Sequence, residues 1–192
     1  MWLDSLTHYC LRNNIISEDD VAWFRYGIEK RVSTVIVGIP VFTLAIILSN
    51  IYTASAFFAS FYLLRSRTNG YHAKTIWGCF ISSVVCIVLC MYAFYPLLNT
   101  KWIILLSVFC AAMIFWLAPY NHPNMNYTDN EYRACKKSSR LRAVGLCLCT
   151  IVSCSLGFDR IASGLFLGVA MAVSLLCLAH ILNRGENNER KA

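Results

Sequence analysis

Residues 32–64 read VSTVIVGIPVFTLAIILSNIYTASAFFASFYLL and contain no charged side chain. As a single helix this stretch would be about 50 Å long, because an α-helix rises about 1.5 Å per residue. The hydrocarbon core of a bilayer is only about 30 Å thick, so the stretch is too long for one span even when it is tilted. It predicts two short spans with a bend near Ser49 and Asn50.

The remainder of the chain has a similar composition. Hydrophobic residues make up 58% of the 192 residues and charged residues only 14%, against roughly 45–50% and about 25% in soluble domains. Further uncharged runs predict spans near 78–95, 102–118, 143–157 and 161–182. We therefore predict an all-α integral membrane protein with about six transmembrane helices and no separate soluble catalytic domain. Four full spans are the alternative, with 51–64 and 143–157 crossing incompletely.

The distribution of positive charge favours six spans. With six spans both termini lie on one side, and so do all but Lys101 and Arg160 of the 17 lysines and arginines. Cationic loops resist translocation, so the crowded side is predicted to be cytoplasmic. The predicted protein is multi-pass, with both termini in the cytoplasm.

Three segments follow from this layout. In residues 1–31 apolar side chains recur at helical spacing from Trp2 to Cys10, which predicts amphipathic helices on the membrane surface. A mobile tail is the alternative, and the segment lacks the features of a cleavable signal peptide. Residues 32–183 form the predicted six-span domain, and residues 184–192 form a polar cytoplasmic tail.

Ten cysteines are present, and most fall within the apolar runs. Free, buried thiols are therefore expected. The sequence contains no C-x-x-C pair and no Cys/His set at zinc-finger spacing, so neither a metal nor another cofactor is expected.

Polar residues concentrate between the second and third predicted spans, where residues 65–75 read RSRTNGYHAKT. Asn69-Gly70 predicts a turn that returns the chain to the membrane, so His72 and Cys79 both lie near its surface. On one continuous helix these two residues would be about 10.5 Å apart along the axis, beyond hydrogen-bond reach. If His72 is on a loop and Cys79 is in the first helical turn, the imidazole and the helix dipole both favour the reactive thiolate. An interfacial histidine and an unrelated cysteine are the alternative.

Other side chains are candidates for a supporting role. Ser83, four residues beyond Cys79, is predicted to hydrogen-bond near the site, although bonding to its own helix is the simpler role. Cations on the same side are candidates for binding an acidic substrate, and topology determination is their alternative use. These cations are Arg65, Arg67, Lys74, Lys136 and Lys137, and Arg140 and Arg142 are expected to attract the same acidic tail.

These residues resemble the signature of a known family. The string Arg67-x-x-Gly70-x-His72-Ala73, with Cys79 seven residues after the histidine, is similar to that of the accessory gene regulator B (AgrB) membrane endopeptidases. Ala118-Pro119 followed by Pro123-Asn124 and a basic segment resembles the cytoplasmic part of that family after its fourth span. Asn69 departs from the pattern, because many members have a second glycine there.

The resemblance implies a bacterial plasma-membrane cysteine peptidase that cuts the C-terminal part from a small quorum-sensing propeptide. It also implies that the enzyme promotes cyclisation of the remainder to a thiolactone or lactone, with Cys79 as nucleophile and His72 as general base. The expected partners are a propeptide with an acidic tail and membrane lipid, not nucleic acid. A small transporter or a noncatalytic adaptor is the alternative, although spans without central charges weigh against ion-coupled transport.

The last predicted span contains Gly164-Leu165-Phe166-Leu167-Gly168. Two glycines four residues apart make a groove that lets another backbone approach closely in lipid. The groove predicts either packing against another span of the same chain or the seam of a homodimer.

Overall fold

The structure is a computed structural model that describes residues 2–13, 15–17, 21–68, 76–119 and 129–189. In these ranges the regular elements are all helical, which agrees with the all-α prediction. The chain divides into two compact units, residues 1–41 and 42–192. The helices are α1 (Trp2–Arg12), α2 (Val21–Leu48), α3 (Ile51–Thr68), α4 (Ile76–Val88), α5 (Thr100–Leu117), α6 (Asp129–Ser155) and α7 (Asp159–Glu189).

The first unit contains α1 and most of α2. Helix α1 lies in the segment that is predicted to be amphipathic, and Arg25 donates a 2.8 Å hydrogen bond to Asp4. Both side chains are about half exposed, so this ion pair contributes little stability. Helix α2 is continuous through residue 31. The predicted boundary at 31/32 therefore falls inside a helix, because Lys30 and Arg31 change the polarity of the segment without breaking it.

The predicted bend near Ser49 and Asn50 is confirmed. Helix α2 ends at Leu48 and α3 begins at Ile51. The Asn50 side-chain oxygen accepts a 2.9 Å hydrogen bond from the backbone N–H of Thr53. This N-cap satisfies a donor that the start of a helix otherwise leaves unpaired.

The predicted span at 78–95 is a regular helix only to Val88. A π-helical turn (Leu89–Phe94) and a 3₁₀ turn (Tyr95–Leu97) follow, and Tyr95 N–H donates to the carbonyl of Cys90, five residues back. Pro96 has no N–H to donate, and its ring would clash with the carbonyl four residues earlier. The regular α-helix ends before this proline, whereas α2 continues through Pro40.

Two boundaries differ from the prediction in the last third of the chain. Helix α6 begins at Asp129, so the basic segment before residue 143 is helical and not a loop. Helix α7 runs to Glu189, so most of the predicted tail continues the last helix. Charge marks where a span meets water, but it does not end a helix unless a cap or a proline is also present.

A tight turn joins α6 to α7. Gly157 has φ +76°, the left-handed conformation that favours glycine. Its N–H donates to Cys154, and the N–H of Phe158 donates to Ser153. This pair of bonds is the Schellman arrangement, in which a glycine closes the C-terminus of a helix.

The most extensive helix pair is α3 with α7. A Cβ added at Gly164 would lie 2.9 Å from Ala56 Cβ and would meet the carbonyl of Thr53. A Cβ added at Gly168 would meet the carbonyl of Phe57 and the hydroxyl of Ser60. The glycine groove thus packs against another helix of the same chain, which was one of its two predicted uses. A homodimer stays a prediction, but this face is already occupied.

Four helices of the second unit can be oriented by their mutual contacts. Positions 53 and 164 meet near the starts of α3 and α7, and positions 60 and 168 meet further along, so these helices are parallel. Thr100 donates to Asp159 at the starts of α5 and α7 (3.3 Å), and His180 Nε2 donates to the carbonyl of Leu117 near their other ends (3.0 Å). Helix α5 is therefore parallel to both, and α6 runs in the opposite direction.

Two of the described helices are long and apolar enough to cross a membrane, Thr100–Leu117 and residues Asp159–Ile181 of α7. Shorter apolar stretches are Thr34–Leu48 and Phe80–Phe94. The number of complete spans stays a prediction.

Candidate active site at the start of α4

The predicted nucleophile, Cys79, is the fourth residue of α4, so its backbone lies in the first turn of that helix. The Cys79 side chain, His72 and Lys74 lie outside the described part of the chain, and the pairing of His72 with Cys79 stays a prediction. Residues 69–75 join the ends of α3 and α4. His72 is four residues from either helix, which limits it to within about 14 Å of both helix ends at full extension.

The large exposed side chains of α4, at positions 77, 81 and 85, lie on the helix face opposite to position 79. Trp77 is 75% exposed and meets Phe80 edge to face at a centroid distance of 6.5 Å. Ser83, one turn beyond Cys79, is half-buried on α4. An exposed tryptophan at the end of an apolar helix is typical of a membrane–water interface.

Arg142 of α6 binds the last turns of α3, the helix that leads into the 69–75 connection. Its Nη1 donates to the carbonyl of Leu63 at 2.6 Å and to the hydroxyl of Ser66 at 2.7 Å. The C-terminal end of a helix carries partial negative charge, so a guanidinium bound to its last two turns is favourable. Arg142 therefore fixes one end of the connection that contains His72.

The C-terminus of α5 is bound in the same way by two other helices. Arg140 Nη2 donates to the carbonyl of Phe115 at 3.0 Å, and its guanidinium lies 5.2 Å from the centroid of the Phe115 ring. His180 supplies a donor to the carbonyl of Leu117. The Arg140 Nε atom is buried and has no partner among the described residues. Helix α6 thus holds the ends of both α3 and α5 near one face of the second unit.

The predicted substrate-binding cations have different surroundings. Arg67 is exposed in the last turn of α3, and Arg65 is half-buried and already engaged in an interaction. Lys136 Nζ lies 5.9 Å from the centroid of the Tyr132 ring, whereas Lys137 is exposed. Arg67 and Lys137 are therefore the most accessible of the described members of this set.

The sequence predicts that Arg140 and Arg142 attract an acidic peptide tail, but it does not identify their structural role. Both lie directly before the uncharged run that starts at residue 143. That position places them level with the ends of neighbouring helices. Helix α6 runs opposite to α3 and α5, so an arginine at its entry into the apolar run lies beside their C-terminal ends. This position is the sequence signal that could have predicted binding to their carbonyls.

The cysteines whose side chains are described are free thiols, and Cys90, Cys110 and Cys154 are buried. Within the described ranges no group of three or more His, Cys, Asp or Glu side chains is placed to hold a metal ion.

Comparison with known proteins relates the chain to one family. Residues 3–179 match the sequence profile of the family described as Accessory gene regulator B. A curated protein of Clostridium beijerinckii, described only as AgrB-like, is 28% identical over 139 residues, which cover 70% of this chain and 64% of that relative. No solved protein structure matches the chain.

Proposed function

The chain belongs to the accessory gene regulator B (AgrB) family, and from this premise we propose that it is a membrane cysteine endopeptidase acting on a quorum-sensing propeptide. Family membership implies a role in propeptide processing, and together with the two long apolar helices it indicates association with a membrane. Cys79 is the proposed nucleophile and His72 the proposed general base. The chain spans 64% of the length of its curated relative, so the propeptide and the complete reaction are part of the proposal.

The observation that carries the proposal is the position of Cys79 in the first turn of α4. The positive end of the helix dipole favours a thiolate there, and a nearby imidazole adds to this effect. The short connection at 69–75 limits how far His72 can lie from that turn. Arg142 holds the α3 end of the same connection.

The proposed first step is acyl transfer to the enzyme. His72 takes the proton from the Cys79 thiol, and the thiolate attacks the carbonyl carbon of the scissile peptide bond. The carbon–nitrogen bond then breaks, and the leaving amine of the C-terminal fragment takes the proton from the His72 imidazolium. The N-terminal fragment remains bound to Cys79 as a thioester.

The proposed second step releases this fragment as a ring. A Cys or Ser side chain of the bound peptide attacks the thioester carbonyl while His72 takes its proton. The bond between the carbonyl carbon and the Cys79 sulfur then breaks, and the Cys79 thiolate leaves and recovers the proton from His72. The product is a thiolactone when the attacking atom is sulfur and a lactone when it is oxygen. Hydrolysis would destroy the thioester, so a site that excludes water at the membrane surface favours cyclisation.

The proposed topology has six spans with both termini in the cytoplasm, in the bacterial plasma membrane. The parallel arrangement of α3, α5 and α7 supports it, because alternate spans must point the same way. The arginines at the ends of α3 and α5 fall on the side that has most of the positive charge, which is the cytoplasmic side by the positive-inside rule.

Cleavage of a tagged propeptide encoded beside the gene tests the assignment. Cys79→Ala and His72→Ala should each abolish the gel shift that marks cleavage, while the protein still reaches the membrane. Cys86→Ala is the matched control, since it removes a thiol seven residues further along α4. The control should retain cleavage, because Cys86 is not proposed to contact the substrate.

Normal cleavage by either the Cys79 or the His72 variant would overturn the catalytic assignment. A transporter or an adaptor has no requirement for the Cys79 sulfur, so the same experiment separates the peptidase from both alternatives.

A further inference from the structure

The basic segment at the start of α6 directs its cations toward different surroundings. Arg140 and Arg142 donate to backbone carbonyls of α5 and α3. Lys136 lies over an aromatic ring of its own helix. Arg133 and Lys137 are exposed instead. These last two cations are therefore accessible to a partner outside the chain.

Arg133 and Lys137 continue an exposed apolar stripe. With about 100° of rotation per residue, positions 133, 137, 141, 144, 148 and 152 share one sector of α6 about 100° wide. The opposite face of α6 is buried, at Ser139, Ala143, Leu146 and Thr150. The stripe therefore faces away from the packed helices. Its apolar members are Leu141 (72% exposed), Val144 (41%), Leu148 (57%) and Val152 (54%).

Along this face of α6 an apolar stretch is followed by two cations, which is the order needed to bind the acyl chain and then the phosphate of a phospholipid. The apolar stripe from Leu141 to Val152 is about 17 Å long, Lys137 lies about 6 Å beyond it, and Arg133 a further 6 Å or so. Acyl chains would contact the apolar part, and the flexible stems of the cations would bring their charges to the phosphate level. An acidic peptide tail would use the two cations but would leave the apolar stripe unmatched.

We propose that Arg133 and Lys137 bind the phosphate of an anionic phospholipid whose acyl chain lies along Leu141, Val144 and Leu148. The site extends the role of α6 beyond holding the ends of α3 and α5. It rests on the proposed membrane embedding of α6 and does not depend on the peptidase chemistry.

Native mass spectrometry of the purified full chain tests the site, with phosphatidylglycerol and phosphatidylcholine as probes. The test variant is Arg133→Gln with Lys137→Gln. The matched control is Lys101→Gln with Arg160→Gln, which removes the same charge from exposed positions at the start of α5 and of α7. Wild type and control should bind phosphatidylglycerol preferentially. In the test variant the ratio of phosphatidylglycerol to phosphatidylcholine binding should fall about fivefold for each cation removed, or about 25-fold in total.

Two results would overturn the site. One is an unchanged preference in the test variant, and the other is an equal loss in the control, which would indicate a general effect of net charge. Propeptide cleavage in pure phosphatidylcholine vesicles is measured in parallel. A cleavage defect in the test variant with unchanged lipid preference would assign the two cations to the acidic peptide instead. Lipid binding is measured without propeptide, so failure of the peptidase proposal would not affect it.

Discussion

Helices α3 and α7 contrast with α4 in how they are packed. In α7 the glycines at 164 and 168 let α3 approach closely, and Leu176 is fully buried, as is Leu64 of α3. In α4 large apolar side chains remain exposed, among them Ile81 (59%) and Val85 (51%). Tight packing is thus concentrated in α3 and α7, whereas the helix with the candidate nucleophile presents an open face. Lipid covers such a face in a membrane, and the face lies opposite to position 79 on the same helix.

This difference in packing predicts that truncating a large apolar side chain to alanine destabilises the protein more in α7 than in α4. Leu176→Ala should lower the free energy of unfolding by about 2–5 kcal/mol, because it leaves a cavity in the packed region. Ile81→Ala should cost less than about 1 kcal/mol, because lipid or detergent fills the space at an exposed position. Unfolding in mixed micelles with increasing denaturing detergent measures both. Equal costs would show that α4 is packed as tightly as α7 and would remove the contrast.

Some features of this fold follow directly from the sequence. The break between α2 and α3 is predictable because Ser49 and Asn50 are adjacent polar residues in the middle of an uncharged run, and Asn50 then serves as a cap. The end of α5 is predictable from Pro119, because the residue before a proline disfavours helical geometry. Both signals are local, so a single sequence is sufficient to read them.

Other features depend on distant helices and could not be predicted. The partners of Arg142, the carbonyl of Leu63 and the hydroxyl of Ser66, are 76 or more residues away in the chain, and no local pattern identifies them. Likewise, the glycines of α7 predict a close approach but not that α3 is the partner. The His72–Cys79 spacing indicates a cysteine nucleophile with a histidine base. The distance between the two side chains depends on the 69–75 connection, which lies outside the described residues.

The α3–α7 contact can be tested separately from the core by adding a single methyl group. Gly168→Ala should destabilise the protein by about 1–3 kcal/mol, because the new Cβ meets a backbone carbonyl as well as a hydroxyl and the helices must separate. Gly145→Ala on α6 is the matched control. Nothing lies within 4 Å of a Cβ built there, so the higher helix propensity of alanine should leave stability unchanged or slightly raised. The same detergent titration reports both, and equal stability of the two variants would contradict the close approach.

The smallest predicted effect concerns Arg142, which connects the tightly packed helices to the candidate site. Arg142→Gln should cost about 1 kcal/mol, because it removes charge-assisted bonds to Leu63 and Ser66 that are partly screened by solvent. Arg133→Gln removes the same charge from an exposed position nine residues earlier on α6 and should be neutral in detergent without anionic lipid. Hydrogen exchange should increase in the last turn of α3 for the Arg142 variant only. If both variants exchange alike, Arg142 does not hold the end of α3, and the α3–α4 connection must be fixed by other residues.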